Sequence, residues 1–325
     1  MGRWSARGER LDRHEGTHKT HPWHKVLWLT GVDYFSTLGY QPGIALLAAG
    51  ALSPLATAIL VVVTLAGALP IYAQVARRSH AGQGSIAMLE GLLPGWTGKL
   101  MVLVLLGFAA TDFVITMTLS AADAAIHAIE NPLLHPYLGD ARMALTCALL
   151  ALLAAVFLRG FVEAIGLAMV VGLPYIALNL VVLGRGLLEV SWHPELLAGW
   201  RDALTRQGDP VALALAAALV FPKLALGMSG FETGVSVMPL ISGGQKSTTH
   251  EGAGAGLPHG RIAATRKLLA TAAIIMSVLL LTSSVVTAIL IPQEAYQEGG
   301  PASGRAIAWL AHHFFGGAFG SLYDL

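Results

Sequence analysis

The stretch Gly227-Met228-Ser229-Gly230-Phe231-Glu232-Thr233-Gly234-Val235-Ser236 decides how this chain is read. It sets a carboxylate and three glycines inside an apolar run, Leu224 to Leu240, that also holds Pro239. An ionisable side chain at membrane depth is costly, and irregular backbone is tolerated there only where it lines a cavity or is buried in protein. A second such stretch runs from Leu29 to Ile44, where Asp33 is followed by Gly39 and Pro42. Paired interrupted helices are the best sequence pointer to a transporter's binding site, so both stretches are expected to unwind around one.

Composition supports a lipid setting. Hydrophobic residues make up 55% of the 325, charged residues 12%, and the mean hydropathy is +0.65. Such a chain lacks the polar groups to cover a surface facing water. With Lys+Arg 20 and Asp+Glu 19 the net charge is close to zero, which gives no reason to expect a nucleic-acid partner. The single cysteine, Cys147, excludes an intrachain disulfide framework and reads as a small packing residue in an apolar helix. No nucleotide-binding signature, His-Glu metal motif or nucleophile elbow occurs, so neither an enzyme nor a cofactor is expected.

Residues 1–24 are polar, basic and rich in histidine (His14, His18, His21, His24), and read as a disordered cytoplasmic tail rather than a cleavable signal or a metal site. Beyond them about seven apolar runs are long enough to cross a hydrocarbon layer of roughly 30 Å. They lie near 26–50, 52–75, 100–126, 141–158, 161–183, 211–241 and 268–291. Gly82-Gln83-Gly84-Ser85 and the amphipathic stretch to Trp96 are too short and polar to span, and read as an interfacial or re-entrant segment. If the N-terminus is cytoplasmic, fourteen of the Lys and Arg residues fall on its side and five on the other, with Lys223 inside a helix. That bias supports a cytoplasmic N-terminus.

The two interrupted stretches stand first and sixth in the series and run in opposite directions. An inverted repeat follows: five helices over 25–190, an extracellular loop over 191–210, and over 211–325 a partial second unit of two helices and an outer amphipathic helix from Gly304 to Phe315. By this logic about three core helices are missing, and the chain is expected to be a truncated fragment.

The residues at the breaks suggest the cargo. Around the first, Asp33, Ser36, Tyr40 and freed carbonyls are hard oxygen ligands that suit an alkali ion or a proton. At the second, Glu232 is the candidate proton-coupling group, together with Asp33. On the third helix Thr116 and Ser120 are four apart and share a face, and Asp112, one turn earlier, is placed to pair with Lys223.

Ser229-Gly230-Phe231-Glu232 in a broken sixth helix resembles the amino acid, polyamine and organocation (APC) transporter superfamily, and within it the KUP and KimA-type potassium:proton symporters. In that pattern an Asp is followed seven residues later by a Tyr, as Asp33 and Tyr40 are. A Thr and a Ser four apart match Thr116 and Ser120, and a hydroxyl three before a Glu matches Ser229 and Glu232. Gly82-Gln83-Gly84 resembles the Gly-acid-Gly turn of that branch, with Gln for the acid. The resemblance implies an all-α, LeuT-like 5+5 inverted-repeat fold with discontinuous first and sixth helices. It implies a potassium pocket built from Asp33, Ser36, Tyr40, Thr116, Ser120, Ser229 and Glu232, in a plasma (inner) membrane protein, and leaves a homodimer open. Amino acid uptake through the same fold and an inactive fragment are the competing readings. Asp33 sits badly with the first of these, because it would repel a substrate carboxylate.

Overall fold

The computed structural model describes residues 20–79, 84–86, 88, 93, 95–139, 141–159, 161–228, 230–243 and 259–325. The architecture is helical; among the described residues the only β-type pairing is an isolated bridge between His21 and Ile241. The chain begins with α1 (Trp23–Ala49), turns through a 3-10 segment at Gly50–Leu52, and continues as α2 (Ser53–Val62), a π-helical stretch (Val63–Ala68) and α3 (Leu69–Arg78). Gly50 makes that turn with a φ of +53°, which a residue with a side chain adopts only under strain. Then follow α4 (Gly95–Glu130), the single turn α5 (His135–Leu138), α6 (Arg142–Arg159), α7 (Phe161–Trp192) and α8 (Pro194–Thr205). The sixth apolar run is split into α9 (Pro210–Leu224), a 3-10 turn (Ala225–Met228), α10 (Gly230–Ser236) and a second 3-10 turn (Met238–Leu240). Last come α11 (His259–Leu290), the single turn α12 (Gln293–Tyr296) and α13 (Ala306–Asp324).

Among the described residues four helical stretches are long and apolar enough to cross a membrane: Trp23–Arg78, Gly95–Glu130, Ala164–Trp192 and His259–Leu290. Arg142–Leu158 and Pro210–Leu224 are shorter apolar helices at the places of the fourth and sixth expected runs. The protein is therefore all-α and multi-pass. Within it α1 packs most extensively against α11 and α7, and half of the most apolar window of α11 (50%) is buried. Only 6% of the corresponding window of α4 is buried, and Leu100, Leu103, Leu106 and Phe108 point outward from it. In water that surface would be prohibitive, and in lipid it is the expected exterior.

Several expectations are corrected. The first helix is not discontinuous, because α1 winds without interruption through Gly39 and Pro42. The space at Gly39 is used for contact instead of unwinding: a Cβ there would lie 2.6 Å from Asp123 Oδ2. The tail does not reach residue 24. His21 N–H donates to the Leu240 carbonyl at 2.7 Å, Ser242 N–H donates to the His21 carbonyl at 2.8 Å, and Trp23 and His24 already belong to α1. Residues 1–19 lie outside the described residues. The 191–210 loop contains α8, pinned by Trp200 Nε1–H donating to the Ala51 carbonyl at 2.9 Å. The outer helix runs beyond Phe315 to Asp324, kinked at Gly316. Cys147 is exposed rather than packed, since it faces away from the neighbours of α6.

Candidate functional site

The site forms where α1 meets the split helix. A helix end leaves carbonyls without partners, and in a membrane protein something must replace them. Gln41, 1% exposed on α1, donates from Nε2 to the Leu224 carbonyl at 2.9 Å and so closes the end of α9. Past the gap the backbone of Gly230 lies flat on the Tyr34 ring, where a Cβ would come within 2.5 Å of the ring carbons. The next residue, Phe231, is gripped between Tyr34 (edge-on, 5.7 Å between centroids) and Tyr72 (stacked, 5.3 Å).

This aromatic clamp sets the direction of the two residues that follow. Thr233 turns to α1 and its hydroxyl donates to Asp33 Oδ2 at 2.6 Å. Glu232 turns to the other side, where Ser85 N–H donates to Oε1 at 2.9 Å and the Ser85 hydroxyl to Oε2 at 2.7 Å. Gly84 makes this approach possible. Its φ of +77° suits glycine, and any Cβ there would overlap the Glu232 carboxylate. The expected Gly82-Gln83-Gly84 turn is thus represented by Gly84; residues 82 and 83 lie outside the described residues.

Two cavities flank this junction. One, about 300 Å³, is bounded by Tyr72, Ser85, Phe108, Asp112, Met228 and Glu232. The other, about 430 Å³, opens between α1, α4, α7 and α13, and its polar side includes Ser36, Ser120, Asp123, His127, Tyr175 and Asp324. The expected site residues are divided between them. Glu232 faces the first cavity and Ser36 and Ser120 the second, with the Ser36 hydroxyl donating back to the Asp33 carbonyl at 3.3 Å. Tyr40 and Thr116, each 5% exposed, line neither, and their hydroxyls have no hydrogen-bond partner among the described residues. Asp33 bridges to the split helix through Thr233, and Ser229 lies outside the described residues. Lys223 is exposed on the last turn of α9 and contributes nothing to the environment of Asp112, so the expected pairing does not form.

At the far end of the larger cavity Asp324, whose side chain is fully buried, receives two bonds from Arg305 Nη2 (both 2.9 Å) and contacts His312 Nε2 at 2.7 Å and His127 Nδ1 at 3.0 Å. Burial pushes its carboxyl up, but the His127 and His312 hydrogen bonds and the Arg305 charge outweigh burial and hold it below the usual carboxylate range. Stability from this cluster is therefore present at neutral pH and is lost as pH falls through that depressed value.

Sequence reasoning passed over Thr233, Ser85, Asp123 and His127. Thr233 differs from Glu232 by one position on a broken helix, where periodicity gives no facing. Asp123 and His127 did carry a signal, since they continue the Thr116–Ser120 face at spacings of three and four. Neither the protein-family models nor the curated proteins compared with this chain yield a match.

Proposed function

We propose that this protein is a secondary active transporter that carries potassium with protons by alternating access, on a LeuT-like inverted-repeat scaffold of the APC type. In this reading it lies in the plasma (inner) membrane with its N-terminus in the cytoplasm, the repeat units being 25–190 and 211–325. The observation that carries the proposal is the Thr233 to Asp33 hydrogen bond of 2.6 Å. It joins an acidic group on a membrane helix to a split helix, the arrangement in which a site exposed alternately to two sides is built. Asp33, the Thr233 hydroxyl and the unpartnered Tyr40 and Thr116 hydroxyls supply hard oxygens suited to a dehydrated alkali ion. Glu232, held by Ser85 on the opposite side, acts in this conformation as the latch between the split helix and the 84–86 segment.

The test is growth of potassium-starved, transporter-deficient cells expressing the chain. Rescue is expected, and Asp33→Asn, which removes the charge but keeps the shape, should lower uptake by roughly a hundredfold, the cost of one lost charge-assisted contact or two. Uptake of labelled amino acids without rescue would replace potassium by an amino acid as cargo.

A further inference from the structure

We propose that one face of α4 is a proton relay, with Asp123 the proton acceptor in the larger cavity and Asp112 the donor into the smaller one. The inference rests on the proton-coupled reading above and names the groups that would carry the proton. Asp112, Thr116, Ser120, Asp123 and His127 follow one another at spacings of four, four, three and four, so all five lie on one face of a helix. That face starts in the cavity shared with Glu232 and ends in the cavity shared with Tyr175 and Asp324. Between the two stand the buried hydroxyls of Thr116 and, from α1, Tyr40, neither with a partner. Tyr40 follows Gly39, whose α-carbon lies against Asp123 Oδ2, and the charges of Asp33, Asp123 and Asp112 all act on its hydroxyl.

Asp123 differs from the other carboxylates around it. Asp33 is engaged by Thr233, Glu232 by Ser85, and Asp324 by Arg305 and two histidines. Asp123 accepts no hydrogen bond among the described residues. The imidazole nitrogen His127 Nε2 stands 3.8 Å away, and the Asp123 side chain is 14% exposed, onto the cavity. The groups that face it are His127 from its own helix, Tyr40 from α1, Tyr175 from α7, Arg305 ahead of α13, and Tyr323 from α13. Arg305 is already committed to Asp324. An acid at membrane depth with an open oxygen is a functional group by default. A proton needs only one open acceptor, which Asp123 offers.

His127 completes the entrance. Asp324, beside Arg305, accepts from His127 Nδ1–H, which leaves Nε2 on the side of Asp123. A proton from cavity water forms an N–H bond at Nε2 or an O–H bond at Asp123. Neither the Tyr40 nor the Thr116 hydroxyl is bonded to Asp123 or Asp112 in this conformation, so cavity water bridges each gap. The first bond breaks as a bridging water takes the proton and gives one of its own to the Tyr40 or Thr116 oxygen, each hydroxyl passing its own proton onward. Asp112 receives the last one and releases it to water in the smaller cavity. No electrons are exchanged, and the net change is one proton moved.

The experiment uses the full chain in liposomes loaded with a pH-sensitive dye, with rubidium counterflow measured in parallel. Asp123→Asn should keep rubidium counterflow within about twofold of the unsubstituted protein while potassium-driven acidification falls by roughly tenfold or more. Asp123→Glu should restore part of it, which separates loss of the relay from loss of the fold. Acidification by Asp123→Asn at the unsubstituted rate overturns the relay. If the unsubstituted protein moves no rubidium, the potassium reading fails, and the same dye is read under an amino acid gradient. Acidification there that Asp123→Asn abolishes keeps the relay, and acidification that persists, or none with either solute, overturns it.

Discussion

Two helices of this protein carry the same signals, an acid with glycine and proline nearby, and only one of them breaks. α1 holds its winding for 27 residues through Gly39 and Pro42, while the run from Pro210 to Leu240 changes winding at Ala225 and again at Met238. In α1 the glycines serve close approach. The place of a Gly39 side chain is taken by Asp123 and the Tyr175 hydroxyl, and that of Gly31 by its own Phe35 ring. In the split helix Gly227, Gly230 and Gly234 crowd into eight residues, each costing about 1 kcal/mol of helix propensity. The broken ends there find partners in the intact helix: Gln41 for the Leu224 carbonyl, Tyr34 for the Gly230 backbone, Asp33 for Thr233. One helix is the template and the other is laid against it, so the division of labour can be tested from either side.

The largest effect is expected from Gly230→Ala. The new methyl would fall within 2.5–2.6 Å of three ring carbons of Tyr34, and the ring is itself wedged against Phe231. Overpacking of this kind costs typically 1–3 kcal/mol, and the upper part of that range is expected because the clash is with the body of a ring. Thermal unfolding of the purified protein in detergent measures it. Gln41→Leu comes next. It leaves the Leu224 carbonyl without its donor, at about 1–3 kcal/mol, but also removes the Gln41 Oε1 that has no partner, so about 1–2 kcal/mol should be lost. An unchanged unfolding temperature for Gln41→Leu would mean that the end of α9 does not depend on α1.

The apolar spans were legible because length and composition alone place a helix in lipid, and the split in the sixth run was legible because its glycines are crowded. The continuity of α1 was not, because whether Gly39 unwinds a helix or admits a neighbour depends on Asp123, about 84 residues later in the chain. The division of the expected pocket into two cavities was likewise hidden. It depends on Tyr34, Phe231 and Tyr72 meeting between them, three aromatic residues from three separate elements with no local signature. The polar stripe of α4 lay open to reading throughout. Its Thr116–Ser120 pair reads as a ligand face, and Asp123 and His127 continue that face at spacings of three and four, but only the fold shows the cavity onto which they open.

The smallest effect, and the sharpest use of the comparison, is Pro42→Ala. A proline inside a helix usually costs about 3 kcal/mol through a missing hydrogen bond and a clash with the preceding turn, yet α1 tolerates Pro42 without interruption. Alanine would restore the N–H and remove the clash, while losing the ring's packing and its restriction of the unfolded chain. These changes oppose each other, and stability should move by less than about 1 kcal/mol. Activity is then the informative measurement. If α1 is a passive template, Pro42→Ala should match the unsubstituted protein in the uptake assay that tests the proposed function. If, under the proposed transport function, uptake is lost while the unfolding temperature holds, the weakened turn at Pro42 is needed in a conformation other than this one.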